Sequence, residues 1–166
     1  VISDGDASSA AVTRTVTVTP VNDVPVLSGV ESAALAYTEN DAATVVSSTI
    51  VVSDLDSITD ASLDTAEVSI SAGMQAGDVL SYGESGTGIT AAAFDTASGV
   101  LSLSGEATQD AWQTALRLVT YSSTSEDPTG TQASADRVVS FVISDGDASS
   151  AAVTRTVTVT PVNDVP

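Results

Sequence analysis

A chain of 166 residues with 22 acidic and four basic side chains, a net charge of −18, has no basic face for nucleic acid or an anionic membrane. It contains no Cys and no His, which removes disulfide staples, Ser-His-Asp and Cys-His catalysis and the usual zinc sites together. Hydrophobic residues make up 42 % but aromatic ones only 4 %, so the core must rest on β-branched aliphatics, and no run approaches the ~20 apolar residues of a membrane span.

Along the chain, period-2 alternation dominates. Ser3-Asp4-Gly5-Asp6 reads as a turn, and Val12 to Thr19 (Val-Thr-Arg-Thr-Val-Thr-Val-Thr) reads as a half-buried antiparallel strand with Val on one face and Thr or Arg on the other. Further strands are predicted at Leu35 to Thr38, Val45 to Val52, Glu67 to Ser71, Val79 to Tyr82, Ile89 to Phe94 and Val100 to Ser104. Turn signals separate them at Ala72-Gly73, Gly83 to Gly88, and Asp95 to Gly99. Thr108 to Leu116 breaks the pattern. An N-cap type residue, an acid in the first turn, and Trp112, Ala115 and Leu116 at i, i+3, i+4 predict a short helix. Its Trp112 reads as a core plug. Strands follow at Arg117 to Tyr121, at Val138 to Ile143 and at Val153 to Thr160, the last two joined as a hairpin through Ser144-Asp145-Gly146-Asp147.

Val1 to Pro25 recurs letter for letter as Val142 to Pro166. The spacing is the size of a whole domain. The chain therefore reads as one complete repeat over 26–166, its folded body ending near Thr160, preceded by the last strand and linker of a neighbouring repeat in 1–25. Alone, those 25 residues cannot bury a core and should fray or add to an exposed edge. Short strands at regular spacing without βαβ alternation predict an all-β sandwich with Greek-key connections and one short helix.

The acids gather at element ends. Glu39-Asn40-Asp41 follows one strand, and Asp54-Leu55-Asp56 follows another, with a spacing that turns both carboxylates to one side of an extended backbone. Asp145-Gly146-Asp147 occupies the hairpin turn, while Asn22-Asp23 and Asn163-Asp164 lie in the two linkers. Ca²⁺ takes six to eight oxygens from carboxylates, amides and carbonyls, so these clusters, brought to one pole, could supply a site. Each alone is also ordinary turn chemistry.

Several motifs carry a resemblance: Tyr37-Thr38-Glu39-Asn40-Asp41-Ala42-Ala43, Val51-Val52-Ser53-Asp54-Leu55-Asp56-Ser57, Ser98 to Gly105, Ala115 to Tyr121, Val138 to Asp145 and Val162-Asn163-Asp164-Val165-Pro166. In this order over 26–166 they resemble the cadherin-like repeats of large bacterial surface adhesins of the RTX and biofilm-associated kind. The resemblance implies an Ig-like, cadherin-like β-sandwich that binds Ca²⁺ at domain junctions and serves cell adhesion at the bacterial surface after type I secretion. Glu39 matches the cadherin glutamate near the start of a domain, Asp54 and Asp56 the Asp-x-Asp motif, and Asn163-Asp164 the linker Asn-Asp. Animal cadherins carry an Asp where Pro161 stands, and an Asp-Arg-Glu triplet that this chain lacks, which implies one or two ions per junction. The expectation is that Asn22 and Asp23 share Ca²⁺ with a Glu39/Asp54/Asp56 cluster, and that neighbouring repeats are the partners. The rival reading is a carbohydrate- or receptor-binding module with Tyr37, Tyr82 or Trp112 as an exposed platform for a cell-surface glycan or protein. No pair of carboxylates can be nominated for an enzyme.

Overall fold

The computed structural model describes residues 1–56, 63–84, 86–131 and 135–163. The strands are β1 (Val26–Ser28), β2 (Leu35–Thr38), β3 (Thr44–Val45), β4 (Val51–Ser53), β5 (Leu63–Ala72), β6 (Asp78–Tyr82), β7 (Thr90–Ala91), β8 (Val100–Ala107), β9 (Val119–Ser123), β10 (Ala135–Ser144) and β11 (Val153–Thr160), with one helix, α1 (Gln109–Leu116). They form a six-stranded sheet in the order β2-β11-β10-β5-β8-β7, a three-stranded sheet β3-β9-β6 and the pair β1-β4. Among the described residues all strand pairings are antiparallel except one: β2 runs parallel to β11, from Leu35 opposite Val157 to Thr38 opposite Thr160. The protein is thus all-β with one short helix, as expected.

Alternation explains the core. β10 turns Val139, Phe141 and Ile143 inward, β11 turns Val157 and Val159, and β5 turns Ala66, Val68 and Ile70. Leu80, Val119 and Tyr121 of the smaller sheet belong to the same cluster. Tyr121 meets Tyr37 edge to face at 5.1 Å between centroids. Gly73, which follows β5, has φ +73°, and a Cβ there would stand 2.1 Å from the Asp136 carbonyl, so only glycine fits this turn.

The helix starts where the sequence places it. Thr108 is its N-cap, with Oγ1 accepting from the Ala111 N–H at 3.3 Å, and Asp110 lies in the first turn. Trp112, Ala115 and Leu116 face the core, so Trp112 is the plug expected of it.

Four expectations need correction. Val45 to Val52 is not one strand, because the chain changes sheets there. Between β3 and β4 the Val46 carbonyl accepts from Arg155 Nη1 at 2.6 Å, the Ile50 carbonyl from Arg117 Nε at 2.9 Å, and Ser47 Oγ donates to Glu31 at 2.6 Å. These side chains satisfy backbone and hydroxyl groups that no ladder reaches. Ile89 to Phe94 shrinks to the two residues of β7, and the strand expected from Arg117 begins at Val119, because Arg117 caps the helix. The arginine of the Val/Thr repeat also faces the other way: Arg155 shares its parity with Val157 and Val159. Its head hydrogen-bonds Val46 and Ala33 carbonyls and lies 3.3 Å from Glu31. Finally, Val12 to Thr19, in the segment expected to fray or to add to an edge, pairs with no strand among the described residues. The segment is exposed, with Val12 at 96 % and Val18 at 83 %.

Glu31 fixes the crossing segment by accepting from Ser47 Oγ, Ser48 N–H and Ser48 Oγ. Burial pushes its carboxyl up, but these hydrogen bonds outweigh it and hold the pKa at about 2 against an ordinary 4.5. A carboxylate depressed in the folded state stabilises the fold above its unfolded value, and that contribution is lost as pH falls from about 4.5 to about 2. Glu31→Gln should therefore flatten this part of the acid limb, read as the urea midpoint between pH 5 and pH 2. An unchanged limb would show that other carboxylates carry it.

Candidate functional site

The acidic clusters lie at two ends of the molecule. At the first, the β10–β11 turn is built by its own side chains. Asp145 Oδ1 accepts from the N–H groups of Asp147 at 2.8 Å and Ala148 at 2.6 Å, Ser144 Oγ donates to the Ala148 carbonyl, and Gly146 N–H donates to Ser144 Oγ. The other copy of the sequence repeats this bond for bond. Asp4 Oδ1 accepts from Asp6 at 3.1 Å and Ala7 at 3.0 Å, and Ser3 Oγ donates to Ala7. The turn is thus encoded locally, whereas the strand that follows forms only where β10 and β2 are there to flank it.

The segment leading into β1 closes onto this turn. Asn22 Nδ2 donates to Asp145 Oδ2 at 3.0 Å, and the Asp23 N–H donates to Asp56 Oδ2 at 2.5 Å. Pro20, Val21, Asn22, Asp56 and Asp147 line the cleft between them. Asp54 and Asp56 do not lie side by side on an extended strand. Asp54 is buried, and its Oδ1 accepts from the Asp56 N–H at 2.9 Å, which folds the backbone into an Asx turn and leaves Asp56 exposed. Gln109 of the helix anchors this loop by donating to the Asp54 carbonyl. Asp64 belongs here too: a Cβ on Gly146 would stand 3.1 Å from its Oδ2. The sequence did not single it out, because its place depends on β5 pairing with β10, which brings Thr65 opposite Ser144.

Glu39 lies elsewhere. Its N–H donates to the Thr160 carbonyl at 2.9 Å, and its Oε2 accepts from Val162 N–H at 2.7 Å, so it serves the segment that leaves β11. The Asp145 turn sits before β11 and Glu39 beside its end. The eight residues of that strand separate them by about 23 Å at ~3.3 Å per residue. The expected grouping of Glu39 with Asp54 and Asp56 therefore gives way to two poles, because β2 runs parallel to β11 and delivers Glu39 to its far end. Asp41 stays with Glu39, its Oδ2 accepting from Thr38 N–H at 3.0 Å across a tight turn in which Asn40 has φ 67°. Asn163 is exposed at this outgoing pole, and Asp164 lies outside the described residues.

Two features describe the electrostatics. Burial raises the Asp145 carboxyl, but the donors Ala148 N–H, Asn22 Nδ2 and Asp147 N–H outweigh it and hold the group below the ordinary range. At the outgoing pole Glu39 is 3 % exposed, yet among the described residues its Oε1 has no hydrogen-bond partner. A buried carboxylate oxygen without a donor is costly, and a cation is one group that would satisfy it. Among the described residues no three acidic side chains lie close enough together to hold a metal ion as they stand.

The aromatic platform loses two of its three members. Tyr37 and Trp112 are buried, and their polar atoms point inward to Asp41 and Leu63 carbonyls. Tyr82 is half-buried against the core. Among the described residues no helix is long and apolar enough to cross a membrane. Comparisons with protein families, with curated proteins and with solved structures found no match.

Proposed function

We propose that this chain is a calcium-binding structural repeat of a large extracellular bacterial adhesin, an Ig-like Greek-key sandwich that acts as a stiff spacer between like repeats and catalyses nothing. The observation that carries this reading is the convergence of the incoming segment on the first pole. The Asn22 side chain and the Asp23 N–H are tied to the Asp145 and Asp56 carboxylates, groups that come from three distant stretches of sequence. The donor set is all oxygen, and the chain has neither Cys nor His, which suits a hard cation. At the incoming pole Asn22, Asp23, Asp54, Asp56, Asp145 and Asp147 would hold Ca²⁺. At the outgoing pole Glu39, Asp41 and Asn163 would do so with the next repeat. Bound cations supply positive charge among crowded carboxylates and fix the angle at which one repeat leaves another.

Extracellular modules hold Ca²⁺ with Kd on the order of 10⁻⁴–10⁻³ M. At roughly 10 to 100 times Kd the ion contributes about 1.4–2.7 kcal/mol, which raises the melting temperature of a chain this size by about 3–10 °C. Scanning calorimetry with Ca²⁺ and with chelator should show that rise, and Asp56→Ala should remove most of it. Coincident melting curves would sink the reading.

A further inference from the structure

We infer that the outer face of the six-stranded sheet is a lateral docking surface, and that its occupant is the same face of a second copy of this chain. One parity of β11, β10, β5 and β8 fills the core, and the opposite parity builds this face from Ser, Thr and Val. Register aligns it in rows across the strands. Thr154, Ser140, Ser69 and Val100 form one row, and Ser144, Thr65, Ser104 and Thr90 form another. Between the rows Val142, Glu67 and Ser102 line a trough of about 440 Å³. Carboxylates are scarce here, in a chain that has 22 acidic residues. Among the described residues these four strands turn Asp136 and Glu106 outward at strand ends, and only Glu67 at the centre of the face.

The chain enters the body at one pole, where Asn22 meets Asp145, and leaves at the other, where Glu39 meets Val162. The face runs along the line between the poles, so it looks sideways whatever precedes or follows. A net charge of −18 sets copies against each other at the acidic poles, and this near-neutral flank is where two can meet with least repulsion. Hydroxyls both donate and accept, so rows of Ser and Thr satisfy identical rows across a two-fold axis. Four strands ~4.8 Å apart and eight residues long present about 500 Å² per copy. The pair then covers about 1,000 Å², the lower bound of specific association, with Kd on the order of 10⁻⁴–10⁻³ M. The remaining charge still opposes contact, so salt strengthens the pairing, as the screening length shortens from about 10 Å at 0.1 M to about 3 Å at 1 M. Along a chain of many repeats this weak contact is multiplied, and that consequence alone rests on the spacer reading.

The test is analytical ultracentrifugation of the full chain at up to about 1 mM, in about 0.1 M and about 1 M NaCl. Chelator is present throughout, which keeps the result separate from the calcium reading. The mean mass should rise from monomer toward dimer with concentration, and more steeply at high salt. Ser102→Glu with Thr154→Glu, both exposed on this face, should weaken the association by more than about tenfold. Glu67→Gln removes the central carboxylate and should strengthen it about threefold. Ser81→Glu with Ser122→Glu adds the same charge to the outer face of the smaller sheet, and at high salt it should associate like the parent. Circular dichroism checks that each variant is folded, and Ser102→Glu alone replaces the double variant if that one is not. The inference is overturned if the parent stays monomeric at both salt levels, or if salt dissociates it. It is overturned equally if the Ser102 and Thr154 variant associates like the parent, or if the smaller-sheet variant loses as much as it does.

Discussion

Trp112→Ala should cost about 3–5 kcal/mol of stability, read as a shift of the urea transition followed by circular dichroism. The indole is completely buried at the centre of the helix's inward face, beside Ala115 and Leu116. Its Nε1 donates to the Leu63 carbonyl at 2.9 Å, at the head of β5. Truncation leaves a cavity where the helix meets the sheet, and it strands a buried acceptor as well. Trp112→Phe keeps most of the volume and loses the donor, so it should fall between the parent and Trp112→Ala. A cost below about 1 kcal/mol for the alanine variant would show that the helix can collapse onto the sheet and that the plug is dispensable.

The second large effect concerns a buried ion pair. Arg137 Nε lies 2.6 Å from Asp78 Oδ2, both side chains are fully buried, and Tyr121 donates to Asp78 Oδ1 at 2.6 Å. Arg137 Nη2 also donates to the Pro128 carbonyl at 2.7 Å, and Asp78 accepts from Gln75 N–H at 2.7 Å. The cluster joins β10 of the large sheet to β6 and β9 of the small one. Asp78→Ala leaves a buried guanidinium without its counter-charge and should cost about 3–5 kcal/mol. Replacing both partners, Asp78→Leu with Arg137→Met, removes the uncompensated charge and should restore much of that loss. If the double variant is no more stable than Asp78→Ala, the network's hydrogen bonds and not its charge balance hold the sheets together.

Neither member of that pair stood out in the sequence, although half of the signal was there. Arg137 has the same parity as Val139, Phe141 and Ile143, so alternation alone puts it on the core face of β10. Arg155 likewise follows the parity of Val157 and Val159. A charged residue on the apolar parity of a strand implies a buried partner, but nothing local says which. Asp78 lies 59 residues away and meets Arg137 only through packing of the two sheets. The strands with clean alternation were legible because period 2 is a local property. The crossing at Val46 to Ile50 was not, since its apolar residues continue the strand pattern while Glu31, Arg117 and Arg155 take its backbone elsewhere. The candidate site follows the same division. The Asp145 turn could be read from four residues, whereas the separation of Glu39 from Asp56 depends on the direction of β2 within the sheet.

That direction also decides how the fold answers a pull on its ends. A load entering through Asn22 and leaving through Val162 first bears on β1 and its partner β4, and once these part it draws β2 and β11 past one another lengthwise. The four paired positions from Leu35–Val157 to Thr38–Thr160 are strained together and not peeled apart in turn. Rupture then requires their hydrogen bonds to fail in one event, so the fold resists tension along this axis far better than tension across it.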